Sequence, residues 1–328
     1  MKYRQLGKTG FKISEISLGT WQVGGKWGEL FDDRNAESIL NKAIDAGINF
    51  IDTADVYSDG QSESAIGRVL KSRSERVYVA TKCGRKLSPH DNASYKPEVL
   101  RVFVEESLKR LQIDVLDLIQ LHCPPTEVYE RPEIFELFDR LKEEGKILNM
   151  GVSVEKVDEA LRAIEYPNVT TVQIIFNMFR FKPMEQFFPS AKKENVGIIV
   201  RVPLASGLLT GKFTYDTEFS RHDHRFFNRG GMAFDKGETF SGVDYRTGIA
   251  AVEQLKKLFP GQDNLAPAAL KWILMFDAVS CVIPGASNAK QLDSNLTTLE
   301  LENLTEEQMN GVREIYESMI KESVHHLW

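Results

Sequence analysis

The sequence predicts an α/β fold, namely a (β/α)8 barrel with an N-terminal hairpin and a C-terminal helix. Short runs rich in β-branched residues alternate with longer amphipathic segments from about residue 15 to residue 295, and such alternation is typical of βαβ units around a parallel sheet. Eight such runs are present, and eight βα units close naturally into a barrel of the TIM type. No Pro/Gly/Ser-rich linker divides the chain, so we expect residues 1–328 to form a single domain.

The order of elements follows from hydrophobic spacing and from glycine positions. The candidate strands are residues 16–18, 49–52, 77–81, 115–121, 147–152, 171–175, 197–202 and 279–283. Helical spacing is present between them, for example at Leu100, Val104 and Leu108. Gly47 and Gly145 each follow one of these amphipathic segments directly, as glycine commonly does just past a helix end. Each candidate strand is therefore expected to be followed by a helix.

Three segments are additions to the repeating pattern. Residues 2–5 and 11–14 flank a Gly-Lys-Thr-Gly turn, which predicts a hairpin that caps the barrel floor. Residues 206–245 lack sustained periodicity and are long for an inert connection, so a functional loop over the barrel mouth is expected. A final helix is predicted over residues 305–322, with Thr305 as its N-terminal cap.

Composition limits the classes of function. Of the 328 residues 42% are hydrophobic and 27% charged, and the net charge is -6, which is typical of a soluble globular protein and does not suit a general nucleic-acid binder. No apolar stretch has the length of a signal peptide or of a membrane span. Cys83, Cys123 and Cys281 are too far apart in sequence to suggest a disulfide framework or a CxxC metal site. We therefore expect a cytoplasmic protein without membrane partners, with its oligomeric state open and a monomer as the default.

Four polar residues are placed where a barrel carries its chemistry, at the C-terminal ends of strands and in the loops that follow. Asp52 ends the second candidate strand, Tyr57 lies five residues further on, Lys82 ends the third strand and His122 ends the fourth. Because neighbouring strands are about 4.8 Å apart, we expect these side chains to converge at one mouth.

Their chemistry suits proton transfer to a carbonyl oxygen. A tyrosine with a pKa of about 10 is a poor proton donor near neutrality, and a neighbouring ammonium lowers that pKa. Lys82 would supply the ammonium, Asp52 would hold it charged, and His122 could hydrogen-bond a substrate oxygen. Lys82 could instead act as a Schiff-base amine in an aldolase or isomerase. No metal is expected, because His122 and Cys123 are adjacent on a strand and point to opposite faces.

The sequence resembles the aldo-keto reductase family along nearly its whole length. Residues 47–57, Gly-Ile-Asn-Phe-Ile-Asp-Thr-Ala-Asp-Val-Tyr, look like the family signature, and Glu63, Lys82 and His122 follow in matching contexts. The resemblance implies hydride transfer between a nicotinamide and the carbon of a small-molecule carbonyl or alcohol substrate. It also implies that Tyr57 is the general acid or base, that Lys82 and Asp52 tune it, and that His122 orients the carbonyl.

The resemblance also implies a cofactor site. We expect NADP(H), with NAD(H) as the alternative. Ser153 and Gln173 match the carboxamide-binding residues, while residues 202–212 resemble the pyrophosphate-embracing segment and residues 283–287 the start of the adenosine site. Lys290 and Arg225 are candidate cations for a 2'-phosphate, since basic side chains and a helix N-terminus favour phosphate. The implied cofactor contacts are Gly19, Thr20, Trp21, Asp52, Ser153, Gln173, Arg201, Pro203, Leu204, Ser206, Gly207, Leu209, Lys212, Arg225, Gly285, Ser287, Gln291 and Asn295.

Three positions depart from the family pattern. Val154 stands where many relatives have asparagine, Arg201 takes the place of the aromatic residue that stacks on the nicotinamide, and Ser294 replaces a frequent glutamate. These departures keep a second interpretation open, a nucleotide-sensing regulatory subunit that resembles the channel-associated β subunits and has little turnover. Substrate selection is expected to rest on residues 206–245 and on the surroundings of Trp21, Trp27 and Phe31.

Overall fold

The structure, a computed structural model, describes residues 1–25 and 30–328, so Trp27 lies outside the described residues. Eight parallel strands form one sheet in which each strand pairs with the next in the chain. Two isolated parallel bridges, Ile16 to Val282 and Gly19 to Gly285, join the first of these strands to the last. The (β/α)8 barrel predicted from the sequence is therefore confirmed.

All eight barrel strands correspond to predicted ones, with shifted ends. They are β3 (Leu18–Gly19), β4 (Phe50–Asp52), β5 (Tyr78–Cys83), β6 (Leu116–His122), β7 (Ile147–Ser153), β8 (Val169–Ile175), β9 (Gly197–Arg201) and β10 (Val279–Val282). The largest difference is in the first strand, predicted at residues 16–18, where Ile16 makes only an isolated bridge. Strand β9 ends at Arg201 because Val202 has a φ of 50°, a left-handed conformation that breaks the ladder.

The helices pack their apolar faces on the outside of the barrel. Those between the strands are α1 (Asp33–Asp45), α2 (Gln61–Lys71), α3 (Pro97–Leu111), α4 (Pro132–Glu143), α5 (Val157–Ala163), α6 (Phe187–Lys193), α7 (His224–Phe227), α8 (Tyr245–Leu258) and α9 (Ala266–Leu274), and α10 (Ala289–Leu296) follows β10. Leu100 and Val104 of α3 are fully buried in the main hydrophobic core. Gly47 and Gly145 have φ values of 88° and 72°, which explains glycine just past α1 and α4.

The N-terminal hairpin closes the barrel floor. Its strands, β1 (Tyr3–Gln5) and β2 (Lys12–Ser14), pair antiparallel. Leu6 and Ile13 are fully buried in a second apolar cluster with residues of the barrel interior such as Phe50 and Leu118. The hairpin predicted from residues 2–5 and 11–14 is thus present and fills the lower end of the barrel.

The predicted C-terminal helix is divided into three parts. It comprises α11 (Glu306–Ile315), a π-helical turn at Tyr316–Ile320 and α12 (Lys321–Val324). Thr305 caps α11 by accepting a hydrogen bond from the Gln308 backbone at 3.2 Å. In the part of the chain that the structure describes, we find no helix with the length and apolar character needed to cross a bilayer.

The aperiodic segment 206–245 contains short helical turns and is tied to the barrel by polar contacts. Asn177, just beyond β8, donates to Ser241 at 2.8 Å, and Glu238 pairs with Arg85 at 2.7 Å. The Trp328 indole donates to Asp235 at 2.8 Å. The segment therefore holds Glu238 against the loop that follows β5.

Candidate active site

Lys82 brings three of the four predicted catalytic residues into direct contact. Its ammonium donates to Asp52 Oδ2 at 2.6 Å, to the Thr53 carbonyl oxygen at 2.8 Å and to the Tyr57 hydroxyl at 3.3 Å. An ammonium has three N–H donors, so these partners account for all of them. Lys82 and Asp52 are almost fully buried, with exposed side-chain fractions of 1% and 2%. The arrangement is a fixed ion pair with a phenol as its third partner.

Aromatic rings surround Tyr57. Its ring centroid lies 6.4 Å from that of Trp21 in a stacked arrangement, and 6.0 Å from that of His122 in an edge-to-face arrangement. A tight turn carries Tyr57 out of the strand end and continues into α2 through Gly60, which has a φ of 84°. The four residues predicted at one mouth are therefore close together in the structure.

The second Asp52 oxygen is held from across the barrel. Asp52 Oδ1 accepts from Gln173 Nε2 at 2.7 Å and from Gln120 Nε2 at 3.3 Å. Gln173, which the resemblance implies as a cofactor contact, lines the groove above the barrel and contacts the Asp52 carboxylate as well. Gln120 was not predicted, because nothing in the sequence distinguishes it from other polar residues in strands.

The direction of the pKa shift at Tyr57 differs from the sequence prediction. Burial raises the pKa of Tyr57 above its ordinary value, and the Lys82 ammonium opposes this without reversing it. The prediction of a lowered pKa was wrong, because the Asp52 carboxylate offsets the field of Lys82 and because burial disfavours a phenolate. The phenol therefore remains protonated near neutral pH.

The protonation state of Lys82 decides between two chemistries. Burial lowers the pKa of Lys82, but Asp52 and Tyr57 raise it and the net direction is upward. A Schiff-base amine requires a neutral nitrogen with a free lone pair. The ion pair with Asp52 therefore argues against a Schiff base on Lys82.

His122 is buried next to several cations. Burial, Arg85, Lys82, Arg201 and His90 together lower the pKa of His122 well below its ordinary value. Its Nε2 lies 3.3 Å from Arg85 Nη1. The imidazole is therefore neutral throughout the physiological pH range.

A buried cluster of charges next to His122 was missed by the sequence analysis. Glu238 pairs with Arg85 at 2.7 Å and lies 3.6 Å from Arg201, and these guanidinium groups hold its pKa at about 2 against the effect of burial. Arg201 also donates to Glu155 at 2.7 Å and to the Val154 carbonyl oxygen at 2.9 Å. Burial raises the pKa of Glu155 to about 8. We call Arg85, Glu155, Arg201 and Glu238 the charge cluster.

The charge cluster includes Arg201, one of the departures noted in the sequence, and contacts the backbone of a second, Val154. Arg201, in the place of a stacking aromatic, is 7% exposed and is held by ion pairs, and Val154 is buried with its carbonyl oxygen bonded to Arg201. Cys123 lies within 4.8 Å of carboxylate oxygens of Glu155 and Glu238. Arg201 contacts Cys123, Glu155 and Glu238. Its guanidinium therefore supplies the positive charge between these three side chains, where a metal ion could otherwise bind.

A long groove of about 390 Å3 runs from Asp52, Tyr57 and His122 across the barrel mouth to helix α10. Tyr57 and His122 lie at one end, and Ser294 and Asn264, which are joined by a 2.6 Å hydrogen bond, lie at the other. Most of the implied cofactor contacts line this groove. They are Gly19, Thr20, Trp21, Asp52, Gln173, Arg201, Pro203, Leu204, Ser206, Gly207, Lys212, Arg225, Gly285, Gln291 and Asn295.

Three implied cofactor contacts lie elsewhere. Ser153 is 1% exposed, with its hydroxyl 3.5 Å from Cys123 Sγ. Leu209 is fully buried in the hydrophobic core, because the turn at residues 205–210 directs its side chain inward. Ser287 bonds Gln291 Oε1 through both its backbone N–H and its hydroxyl, at 2.8 and 3.0 Å. None of these three lines the groove.

The donors along the groove suit a dinucleotide. Ala205, Ser206 and Gly207 all have positive φ values in a compact turn after β9, and the N–H groups of Ala205 and Gly207 donate to the Val202 and Leu204 carbonyl oxygens, so the turn is rigid. Lys212 and Lys290 add positive charge along the same groove. Helix α10 begins beside the groove, and the N-terminal turn of a helix has N–H groups without intrahelical partners. These residues fit a phosphate-bearing cofactor.

Arg225, the other candidate cation for a 2'-phosphate, already has a carboxylate partner. Its guanidinium makes two hydrogen bonds to Asp223, at 2.9 and 2.5 Å, and lies 4.7 Å from the Phe219 ring centroid. Its charge is therefore partly neutralised, and Lys212 and Lys290 are the more available cations.

Arg85, Glu238 and His224 were not predicted as site residues, because no strong sequence pattern distinguishes them. Arg85 follows Lys82 by three residues, in a loop where barrel enzymes place functional groups. Glu238 and His224 also line the groove, but they come from the aperiodic segment 206–245, in which no spacing singles out one residue.

Comparison with known proteins gives the same assignment at family level. The model of the Aldo/keto reductase family matches residues 15–317. Aldo-keto reductase YhdN of Bacillus subtilis is 32% identical, over 99% of this chain and 96% of that protein. The NADH-specific methylglyoxal reductase of Escherichia coli is 30% identical, over 97% and 99%. The structure of the glycerol dehydrogenase AKR11B4 from Gluconobacter oxydans superimposes with a TM-score of 0.76 at 29% identity, over 97% and 96%.

Proposed function

The chain belongs to the aldo/keto reductase family and is an oxidoreductase, and from this premise we propose that Tyr57 transfers the proton in carbonyl reduction. The substrates would be aldehydes or ketones, or sugar-type alcohols in the reverse direction. The contact between the Tyr57 hydroxyl and Lys82 at 3.3 Å, with Lys82 anchored by Asp52 at 2.6 Å, supports the proposal most strongly.

When bound, the nicotinamide would supply the hydride for the carbonyl carbon. The part of this chain is to hold the substrate oxygen and to deliver a proton. Tyr57 is protonated near neutral pH because burial raises its pKa, so it is ready to donate as negative charge develops on the oxygen. Lys82 lies beside the phenol and stabilises the phenolate that remains after donation. Near neutral pH, Tyr57 is therefore in the protonation state that carbonyl reduction requires.

Asp52 contributes by keeping Lys82 charged and in place. Two glutamines, Gln120 and Gln173, hold the other Asp52 oxygen. A buried ammonium without such a partner would lose its proton or move toward water. The catalytic power of Tyr57 therefore depends on residues from strands β4, β5, β6 and β8.

The cofactor that we propose is NADP(H). Lys212 and Lys290 are exposed at the groove and lack ion-pair partners among residues 1–25 and 30–328, so each could pair with a 2'-phosphate. NAD(H) is the alternative, because the Escherichia coli relative is named as NADH-specific. Titrating NADPH and NADH by fluorescence quenching distinguishes the two.

The experiment that tests this function is a carbonyl screen on the same sample. Aldehydes, ketones, dicarbonyls and sugars are offered with the better-bound reduced cofactor, and its absorbance is followed. We expect turnover on at least one class. Tight cofactor binding without turnover on any class would contradict the proposal.

One observation favours a second candidate, the regulatory subunit with little turnover. Arg201, which is paired with Glu155 at 2.7 Å, stands where the family resemblance places an aromatic ring against the nicotinamide. A less firmly held ring would slow hydride transfer. Binding of the cofactor with no turnover in the carbonyl screen is the outcome that supports this candidate.

A further inference from the structure

We propose that Glu238 determines substrate specificity by accepting a hydrogen bond from a hydroxyl group on a carbon next to the substrate carbonyl. The preferred substrates are then small hydroxyaldehydes or hydroxyketones. This inference rests on the proposed function, since it concerns the carbonyl that Tyr57 protonates. It assigns a role to a residue of the aperiodic segment 206–245, which carries no catalytic residue of the predicted four.

Glu238 lies at the end of the groove where Tyr57 is found. It lines the groove together with Tyr57, His122 and Trp21. Burial raises the pKa of Tyr57, and the negative charge of Glu238 adds to this effect, which requires the carboxylate to lie near the phenol. A substrate with its carbonyl oxygen at Tyr57 therefore has its neighbouring carbon atoms close to the Glu238 carboxylate.

The Glu238 carboxylate is ionised and keeps free acceptor positions. Burial alone would raise its pKa, but Arg85 and Arg201 hold the pKa of Glu238 at about 2. A carboxylate has about four lone-pair positions, of which Arg85 and Glu155 take one each. Arg201 Nη1 lies 3.6 Å from Glu238 Oε2, which is too far for a hydrogen bond. Glu238 can therefore accept a further hydrogen bond from a molecule in the groove.

Two other charged groups that line the groove are already engaged. Asp52, the second carboxylate of the groove, accepts hydrogen bonds through both oxygens and is 2% exposed. Arg201 donates through Nη2 to Glu155 at 2.7 Å, and its Nε is buried. A substrate hydroxyl needs an acceptor for its proton, and an ionised acceptor makes the stronger hydrogen bond. Glu238 is the carboxylate that can supply it.

The turn that carries Glu238 is fixed from two sides. The Ser206 hydroxyl donates to the Glu238 carbonyl oxygen at 3.0 Å and accepts from the Phe240 backbone N–H at 3.1 Å. On the other side, the Trp328 indole donates to Asp235 at 2.8 Å, and Trp328 is only 4% exposed. An acceptor that is held in place before the substrate arrives costs less ordering on binding. The carboxylate of Glu238 is therefore preorganised for a substrate hydroxyl.

The test compares glyceraldehyde with propanal, which has the same carbon chain without hydroxyl groups. The value of kcat/KM for each is measured with the full chain and the better-bound reduced cofactor. Glu238→Gln keeps the shape of the side chain and removes its charge. We expect this variant to lose about 10-fold or more further activity on glyceraldehyde than on propanal, because the lost hydrogen bond has a charged acceptor. A merely structural role would lower both values equally.

Two further variants complete the series. Glu238→Asp keeps the negative charge beside Arg85 and Arg201 but shortens the side chain by one methylene group. We expect it to lower the preference for glyceraldehyde as well, so it replaces Glu238→Gln if that variant does not fold. Glu218→Gln is the matched control, because Glu218 is exposed in the same segment and lies outside the groove. Both kcat/KM values should stay at the wild-type level in this control.

The outcomes separate this inference from the proposed function. Equal losses on the two aldehydes, or a change confined to the cofactor Kd, would overturn only the inference. Wild-type protein that reduces no carbonyl contradicts the proposed function, and binding then tests Glu238 without turnover. We expect glycerol to change the fluorescence of the bound reduced cofactor at lower concentration than propanol does, and Glu238→Gln to remove this difference. Equal binding of glycerol and propanol by the wild type would overturn the inference.

Discussion

Gln173 Nε2 lies 2.7 Å from Asp52 Oδ1, so a side chain of β8 holds the carboxylate at the end of β4. Asp52 in turn holds Lys82 at 2.6 Å, and Lys82 reaches Tyr57 at 3.3 Å. The contacts form one chain from an amide through a buried ion pair to the phenol. Changes anywhere along this chain should therefore affect both stability and catalysis.

Removing one partner of the buried Asp52–Lys82 ion pair should strongly destabilise the folded protein. Asp52→Asn or Lys82→Met alone leaves the other group without its partner, and we expect each to lower the free energy of unfolding by about 3–5 kcal/mol. The double variant should lose less than the sum of the two, because neither charge remains. Urea unfolding measures all three variants.

The exposed pair Lys42–Asp293 is the control for that series, with side-chain exposures of 40% and 55%. Its single variants should change the free energy of unfolding by at most about 1 kcal/mol. Equal losses at the buried and the exposed pair would contradict our account of the Asp52–Lys82 pair.

The pH dependence of turnover should follow the protonation state of the Tyr57 phenol. Since burial raises the pKa of Tyr57, the phenol stays protonated and the rate of reduction should not fall between pH 6 and 9. Alcohol oxidation needs the deprotonated phenol, so its kcat should rise with pH through this range. A reduction rate that declines with a midpoint below about pH 8 would contradict an upward shift of the Tyr57 pKa.

Asp55 should make stability depend on pH. It is fully buried, and neither of its carboxylate oxygens has a hydrogen-bond partner among the described residues. Burial raises its pKa to about 7, whereas an unfolded aspartate ionises near pH 3.9. Between these values only the folded state holds the proton, so stability should fall as pH rises from about 4 to 7.

Asp55→Asn should remove this dependence. At pH 4 the variant should nearly match the wild type, and at pH 8 it should be more stable by on the order of 4 kcal/mol. Urea titrations at both pH values measure the difference, with the exposed residue Asp216 changed to Asn as control. Equal stabilities at pH 8 would show that the Asp55 carboxylate gains a partner when it ionises.

Cofactor preference should depend on the two exposed lysines of the groove. Lys212→Ala and Lys290→Ala should each weaken NADPH binding by roughly 10-fold or more and NADH binding much less, because only NADPH has the 2'-phosphate. Lys109→Ala, on the outside of α3, should change neither Kd. Equal losses of NADPH and NADH affinity would show that neither lysine binds the 2'-phosphate.

The sequence was most informative where local pattern determines position. Strand periodicity located all eight barrel strands, and strand ends placed Asp52, Lys82 and His122 at one mouth. The pKa of Tyr57 was predicted in the wrong direction, because the extent of burial depends on the complete fold. Glu238 and Arg85 form a hydrogen bond although they are 153 residues apart in sequence. A local sequence pattern cannot predict such a contact. Leu209 faces the core because of backbone angles that the sequence resemblance did not show.

The central claim is that the Tyr57 hydroxyl supplies the proton, and Tyr57→Phe tests it most directly. This substitution removes only the oxygen that contacts Lys82, so we expect carbonyl reduction to be abolished while the cofactor Kd, measured by fluorescence quenching on the same sample, stays within about twofold of wild type. Undiminished kcat in Tyr57→Phe, with the cofactor bound normally, would contradict the account.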